Sequence, residues 1–158
     1  MRIIGIDPGI ARTGWGIVRV EHGKLFGESF GCIETPKEQL LGDRLESLYS
    51  QLKEIMDANQ LDAFAIEELF FNTNAKTALV VGQARGVALL VAAQKQLPIA
   101  AYTPLQVKIA VTGYGRAEKN QVGQMVKTIL KLTSIPKPDD TADALAIALT
   151  HAFSYKMK

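Results

Sequence analysis

Cysteine and histidine are almost missing from this chain. Its 158 residues hold one cysteine, Cys32, and two histidines, His22 and His151. A lone thiol excludes an internal disulfide, and so few scattered soft ligands exclude the clustered Cys/His sets that hold zinc. His22 falls in a hairpin turn and His151 late in an apolar helix, and neither has a motif around it. Long apolar runs are missing too: no stretch reaches the ~18 uninterrupted apolar residues of a membrane-spanning helix. The opening MRIIGID has no cationic region leading into an apolar segment with a cleavage site, so no secretory signal is expected. The expectation is a protein of the reducing cytoplasm with no membrane partner. No internal repeat, low-complexity tract or Pro/Gly/Ser linker divides the sequence, and a single domain over 1–158 is expected.

What is present is a globular composition, 47% apolar and 22% charged, with a net charge of only +2. That small sum hides an uneven distribution. Residues 1–70 carry seven basic and twelve acidic side chains; residues 71–158 carry eleven basic and four acidic ones. A basic second half can face a polyanion, although solvated helix faces account for the same numbers.

Hydrophobic periodicity divides the chain into an all-strand third and a mostly helical remainder. RIIGID, TGWGIVRV and KLFGESFGCIET read as three strands of an antiparallel meander, with EHGK as a turn in which Gly23 is free to take positive φ. Leu40, Leu41, Leu45, Leu48, Leu52, Ile55 and Met56 recur at helical spacing. DAFAIEEL is a short fourth strand, so the intervening helix makes a crossover. A helix over about 74–96, a fifth strand at PIAAYT and helices near 104–111, 117–131 and 139–154 complete the α/β pattern. The segment ALVVGQARGVALLVAA is apolar nearly all round. It is either buried in the core or paired with another subunit, and Gly82 and Gly86, one turn apart, permit close backbone approach.

Three acidic positions break local rules. Asp7 ends the first strand just before Pro8-Gly9. Glu67 and Glu68 interrupt an apolar strand, where alternation sends one to each side. Asp139 suits a helix N-cap and Asp140 a first turn. Asp143 sits one turn further among Ala142, Ala144, Leu145, Ala146, Ile147 and Ala148, where a bare carboxylate is costly to desolvate. Asp140 and Asp143, at i and i+3, share a face. If the first and fourth strands are neighbours, these groups converge. Like charges at ~4 Å repel by about 4 kcal/mol per pair at an effective dielectric near 20, so their gathering points to cations between them. All-oxygen ligands suit Mg²⁺ or Mn²⁺, and acidic clusters of this kind hold two ions and cleave phosphodiesters by in-line displacement.

The ordered set GIDPG, TGWG, AIEELFF, GQARGVA, YTPLQVK, GRAEKNQV and DDTADALAIA, spread over nearly the whole chain, resembles the bacterial RuvC family of crossover-junction endodeoxyribonucleases. The resemblance implies a ribonuclease H-like fold, a five-stranded mixed sheet in the order 3-2-1-4-5 flanked by helices. It implies an endonuclease that resolves four-way DNA (Holliday) junctions by paired symmetric nicks, leaving 5′-phosphate and 3′-hydroxyl ends. Catalytic metal ligands are implied at Asp7, Glu67, Asp140 and Asp143, with Glu68 and Asp139 as bystanders and two Mg²⁺ ions per site, Mn²⁺ being a plausible substitute. The family is homodimeric, which favours pairing through residues 78–93, and it works with the RuvA–RuvB branch-migration complex. Lys108 and Lys119 are implied near the scissile phosphate, and Phe70 as a ring that stacks on an unpaired base. Arg116 joins the DNA-binding set on the residues themselves, as a basic side chain in a Gly-flanked loop.

Three other readings compete. The Asp-x-Gly turn also opens sugar kinases and actin-like ATPases, but those need a second domain to close over the nucleotide. A catalytically silent junction binder gains nothing from clustered negative charge beside DNA. A ribonuclease H or transposase relative would share the metals, but not the Phe-Phe step and apolar pairing helix.

Overall fold

The structure, a computed structural model, describes residues 1–69 and 74–156. Phe70, assigned a base-stacking role above, lies outside the described residues. Among the described residues ten elements follow in order: β1 Arg2–Asp7, β2 Arg12–Glu21, β3 Lys24–Glu34, α1 Leu41–Asp57, β4 Ala63–Glu67, α2 Ala75–Gln94, β5 Ile99–Tyr102, α3 Pro104–Thr112, α4 Lys119–Leu130 and α5 Asp139–Lys156. The sheet order is β3-β2-β1-β4-β5. β1, β2 and β3 form an antiparallel meander, and β4 pairs parallel to both β1 and β5. The β2–β3 turn places Gly23 at φ 77° and His22 at φ 49°, a left-handed pair that matches the twist of a tight hairpin.

Strand alternation splits the core into two halves. Ile4, Ile6, Ile17, Phe64 and Ile66 face α1 and α2, meeting Leu48, Leu52, Met56, Ala84, Ala88, Val91 and Ala92. Ile3, Val18, Ala63 and Ala65 face α3, α4 and α5, meeting Val107, Val111, Val126, Leu145 and Leu149. The sheet therefore lies between a two-helix and a three-helix layer.

α5 is the helix that most closely approaches the sheet, and glycines make the approach possible. A methyl group at Gly5 would overlap the Ala144 carbonyl, and one at Gly14 would overlap the Asp140 carbonyl. At Gly16 it would come within 2.6 Å of Leu145 Cδ2. Gly5 pairs with Gly16 and Asp7 with Gly14 across β1 and β2. The bare strip they form seats the first half of α5 directly against the end of β1. The helix begins at Asp139 itself, so Asp139 stands in the first turn and does not serve as the N-cap.

α2 is buried on one side, as a core helix is, and open on the other. Ala84, Ala88, Val91 and Ala92 are fully buried against the sheet. On the opposite side Leu79 is 63% and Leu90 51% exposed, and nothing lies within 4 Å of a methyl placed on Gly86. Its 20 residues satisfy the length and composition of a membrane span, but its packing on β1 and β4 is that of a core helix with a second apolar face.

Candidate active site

Asp7 reaches the α5 side of the sheet by simple alternation: Ile3 and Gly5 precede it on that face. Ala63 and Ala65 do the same for Glu67. The β1–β4 register runs Ile3↔Ala63 to Ile6↔Ile66, so Asp7 and Glu67 continue it as side-by-side neighbours. Glu68 falls on the other face and is exposed. The backbone here is tied down from both sides: Arg85 Nε donates to the Glu67 carbonyl at 3.1 Å, and Glu68 N donates to the Tyr102 carbonyl at 2.8 Å.

These two carboxylates open into a cleft of about 350 Å³ that is also lined by Pro104, Val107, Lys108, Lys119, Val122, Asp143, Ala146 and Ile147. Asp143 comes from α5, Lys108 from α3, and Lys119 from the first residue of α4. Asp143 Oδ2 lies 3.1 Å from Lys119 Nζ. Asp140, one turn earlier, is half-buried beside β2 and does not line the cleft, although its charge bears on both Asp7 and Asp143. Arg116 stands exposed outside the cleft.

The electrostatics record crowding of negative charge. Burial, followed by the charges of Glu67, Asp143 and Asp140, pushes the Asp7 carboxyl up to about 8. Glu67 is raised by burial and by Asp143, against a hydrogen bond from Asp7 that works the other way. Asp143 is raised by burial in spite of the Lys119 hydrogen bond. Burial works downward on Lys119, but the hydrogen bond to Asp143 and the charges of Asp143, Asp139 and Asp7 outweigh it and raise the ammonium. As the side chains stand, Asp7 is engaged with Glu67 and Asp143 with Lys119. Among the described residues no three Asp, Glu, His or Cys side chains already surround one point. The donor chemistry nonetheless fits a hard divalent cation. All the donors are carboxylate oxygens, and Asp7 holds its proton against a field that a cation would cancel.

Two structural contributors carried no role in the sequence reading. Arg85 is the one charged residue in the middle of α2, and that isolation was its only signal. The turn after Asp7, residues 8–11, is strapped by Thr13 Oγ1 to the Gly9 carbonyl at 2.6 Å and by Thr35 Oγ1 to the Ile10 carbonyl. Arg44 Nε in turn donates to Thr35 Oγ1 at 3.0 Å. Cys32 lies opposite Gly14, and burial, followed by the charges of Asp140 and Glu34, pushes its thiol up to about 11, which makes it an inert packing residue.

Residues 3–151 match the family described as "Crossover junction endodeoxyribonuclease RuvC". The protein of that name from Finegoldia magna is 52% identical over all of this chain and 96% of its own length. The one from Alkaliphilus metalliredigens is 56% identical over 98% of this chain and 94% of its own length. The Thermus thermophilus RuvC structure superposes with a TM-score of 0.92 at 39% identity, covering 99% of this chain and 96% of that one. The same protein in complex with a Holliday junction substrate superposes at 0.91 with 37% identity and the same coverage. With the predicted strand order, a ribonuclease H-like sheet and full-length identity above half, this chain belongs to the RuvC family of crossover junction endodeoxyribonucleases, metal-dependent nucleases that hydrolyse phosphodiester bonds.

Proposed function

We propose that this chain is a single-domain cytoplasmic nuclease that resolves four-way DNA junctions as a homodimer, through two symmetric nicks in strands of like polarity. The observation that carries the reading is the meeting of Asp7, Glu67 and Asp143 with Lys108 and Lys119 in one cleft. Asp7, Glu67, Asp140 and Asp143 are the residues that would hold two Mg²⁺ ions, with Mn²⁺ able to replace them. When bound, such ions supply Lewis acidity, lowering the pKa of water and taking up charge on the phosphate oxygens.

The chain's own residues do the rest. The rigid end of β1 and the glycine-seated α5 fix the carboxylates relative to each other, so orientation is settled before substrate arrives. Lys119 answers the charge of Asp143 in the structure, and a non-bridging phosphate oxygen competes for the same ammonium when DNA enters. Lys108 holds the strand from the α3 side. Arg116 adds a phosphate contact outside the cleft, and Phe70 stacks on an unpaired base at the branch point. The exposed face of α2, with Leu79 and Leu90, is the surface offered to the second subunit. The RuvA–RuvB complex is the partner that would deliver migrating junctions.

The decisive experiment offers synthetic four-way and linear duplex DNA to the protein, with and without Mg²⁺. Junction cleavage that requires the ion, with nicks sealed directly by DNA ligase, is expected, because ligase needs 5′-phosphate and 3′-hydroxyl ends. Asp7→Asn should bind the junction and fail to cut it. Equal cutting of linear duplex, or full activity of Asp7→Asn, would overturn the reading.

A further inference from the structure

The two lysines of the cleft are joined by one short loop, residues 113–118, between the end of α3 and the start of α4. Near its head stands Tyr114, 56% exposed. An exposed aromatic side chain on a mobile loop would mean little, but this loop is pinned at every step. Gly113 takes φ 76° and donates its N–H to the Ile109 carbonyl at 2.8 Å, closing α3 with a left-handed cap. Thr112 Oγ1 lies 2.7 Å from the Lys108 carbonyl and accepts the Tyr114 N–H at 3.1 Å. Ala117 N–H returns to the Tyr114 carbonyl at 3.1 Å. Gly115 sits so close to Leu105 that a methyl there would come within 2.8 Å of its Cδ1. The backbone at Tyr114 is fixed, and its side chain is left in solvent.

Its position follows from the helix. Thr112 is one turn beyond Lys108 on the same face of α3, an advance of about 6 Å along the axis, and Tyr114 follows two residues later. Arg116 is exposed two residues further on, and Lys119, which also lines the cleft, opens α4. A strand gripped by Lys108 and Lys119 and leaving the cleft over this loop would pass an exposed aromatic side chain that precedes Arg116 by two residues and Lys119 by five. Rings in this setting stack on bases, and cations beside them hold the backbone.

We propose that Tyr114 is a DNA-contacting residue whose ring packs on a nucleotide neighbouring the one held by Lys108 and Lys119, a second aromatic contact separate from Phe70. This rests on the junction-binding activity proposed above. The face of the ring is the working part, so the hydroxyl is dispensable.

The test measures junction affinity of the full chain by fluorescence anisotropy across a salt series, with Ca²⁺ in place of Mg²⁺ to prevent cutting. Tyr114→Ala is expected to weaken binding about tenfold, with Tyr114→Phe matching the parent. Because a stacking ring displaces no counterions, the slope of log affinity on log salt should stay that of the parent in Tyr114→Ala, whereas Arg116→Ala lowers it by about one. Unchanged affinity in Tyr114→Ala overturns the proposal, as does a Tyr114→Phe variant as weak as the alanine one. A salt slope that falls in Tyr114→Ala also overturns it, since the residue would then act by placing the neighbouring cations. Failure of the parent itself to bind the junction would instead remove the reading on which this proposal rests.

Discussion

At the scale of the residue, Asp7 is where the cost of the site is concentrated. Its carboxyl is raised from an ordinary 3.8 to about 8, burial being the first cause and the charges of Glu67, Asp143 and Asp140 the next. Asp143 has Lys119 at 3.1 Å to answer its charge. The consequence for stability has a definite sign. Below about pH 4 folded and unfolded chains both hold this proton, and the site costs nothing. Between about 4 and 8 the folded chain keeps a proton the unfolded chain has released, so stability falls steadily as pH rises through that window. In a chelator, the melting temperature is predicted to decline from pH 5 to pH 8 and to recover on addition of Mg²⁺, since the proposed ions would bind only the folded arrangement. Asp7→Asn removes the titration. At pH 8 in chelator it should melt roughly 3–6 °C above the parent, about 1–2 kcal/mol, and no longer respond to Mg²⁺ to the same degree. Differential scanning calorimetry reads both. A variant that melts lower than the parent would make Asp7 a structural partner of its neighbours and not a charge held in opposition to them.

At the scale of the element, the site depends on how near α5 can lie to β1 and β2. Gly14→Ala inserts a methyl into the Asp140 carbonyl and must push away the turn that carries Asp140 and Asp143. Overpacking of this kind typically costs about 1–3 kcal/mol. A displacement near 1 Å at a catalytic group costs about a hundredfold in rate. Both losses are predicted for Gly14→Ala, in denaturant titration and in single-turnover cleavage. Gly42→Ala is the control: nothing lies within 4 Å of the added methyl, and alanine suits the first turn of α1 better than glycine does, so stability should hold or rise by up to about 1 kcal/mol. If the two variants behave alike, close seating of α5 is not what orders the site. The strand-by-strand and helix-by-helix layout was legible in the sequence because it follows from periodicity: β1, β4, α3 and α4 begin and end within about two residues of where their patterns do. Alternation along β4 likewise foretold that Glu67 and Glu68 would part company. What Gly5, Gly14 and Gly16 are for was not legible, since they stand in the first strands and answer to a helix at the other end of the chain. Arg85 was hidden for the same reason: its bond is to a carbonyl on a strand, and spacing within α2 does not report it. Asp139 suited an N-cap by residue type, yet the helix starts one residue sooner than that reading allows.

At the scale of the whole molecule, one cleft per chain sets a limit on what a single chain can do. A monomer meeting a four-way junction makes one nick per encounter, and the nicked junction can be sealed before a second arrives. In the homodimer proposed above, two clefts related by a two-fold axis would address two strands at once. At the surface, α2 presents Leu79 and Leu90 outward with Gly86 between them, while its other side is locked into the core by Ala84, Ala88, Val91 and Ala92. Substituting the outer face therefore tests association without touching the fold. Leu79→Asp combined with Leu90→Asp is predicted to give a folded monomer in sedimentation velocity, with a melting temperature close to that of the dissociated parent at high dilution. A supercoiled plasmid bearing an extruded cruciform then separates the two modes of cutting. Paired nicks within one encounter give linear product, whereas isolated nicks relax the plasmid, reabsorb the cruciform and give nicked circles that are cut no further. The parent should yield linear DNA and the double variant nicked circles, at an initial nicking rate reduced by weaker junction binding but not abolished, because Asp7, Glu67 and Asp143 all come from the same chain. Linear product from a variant shown to be monomeric would mean that pairing of the cuts does not require this face, and the exposed leucines of α2 would then need another explanation.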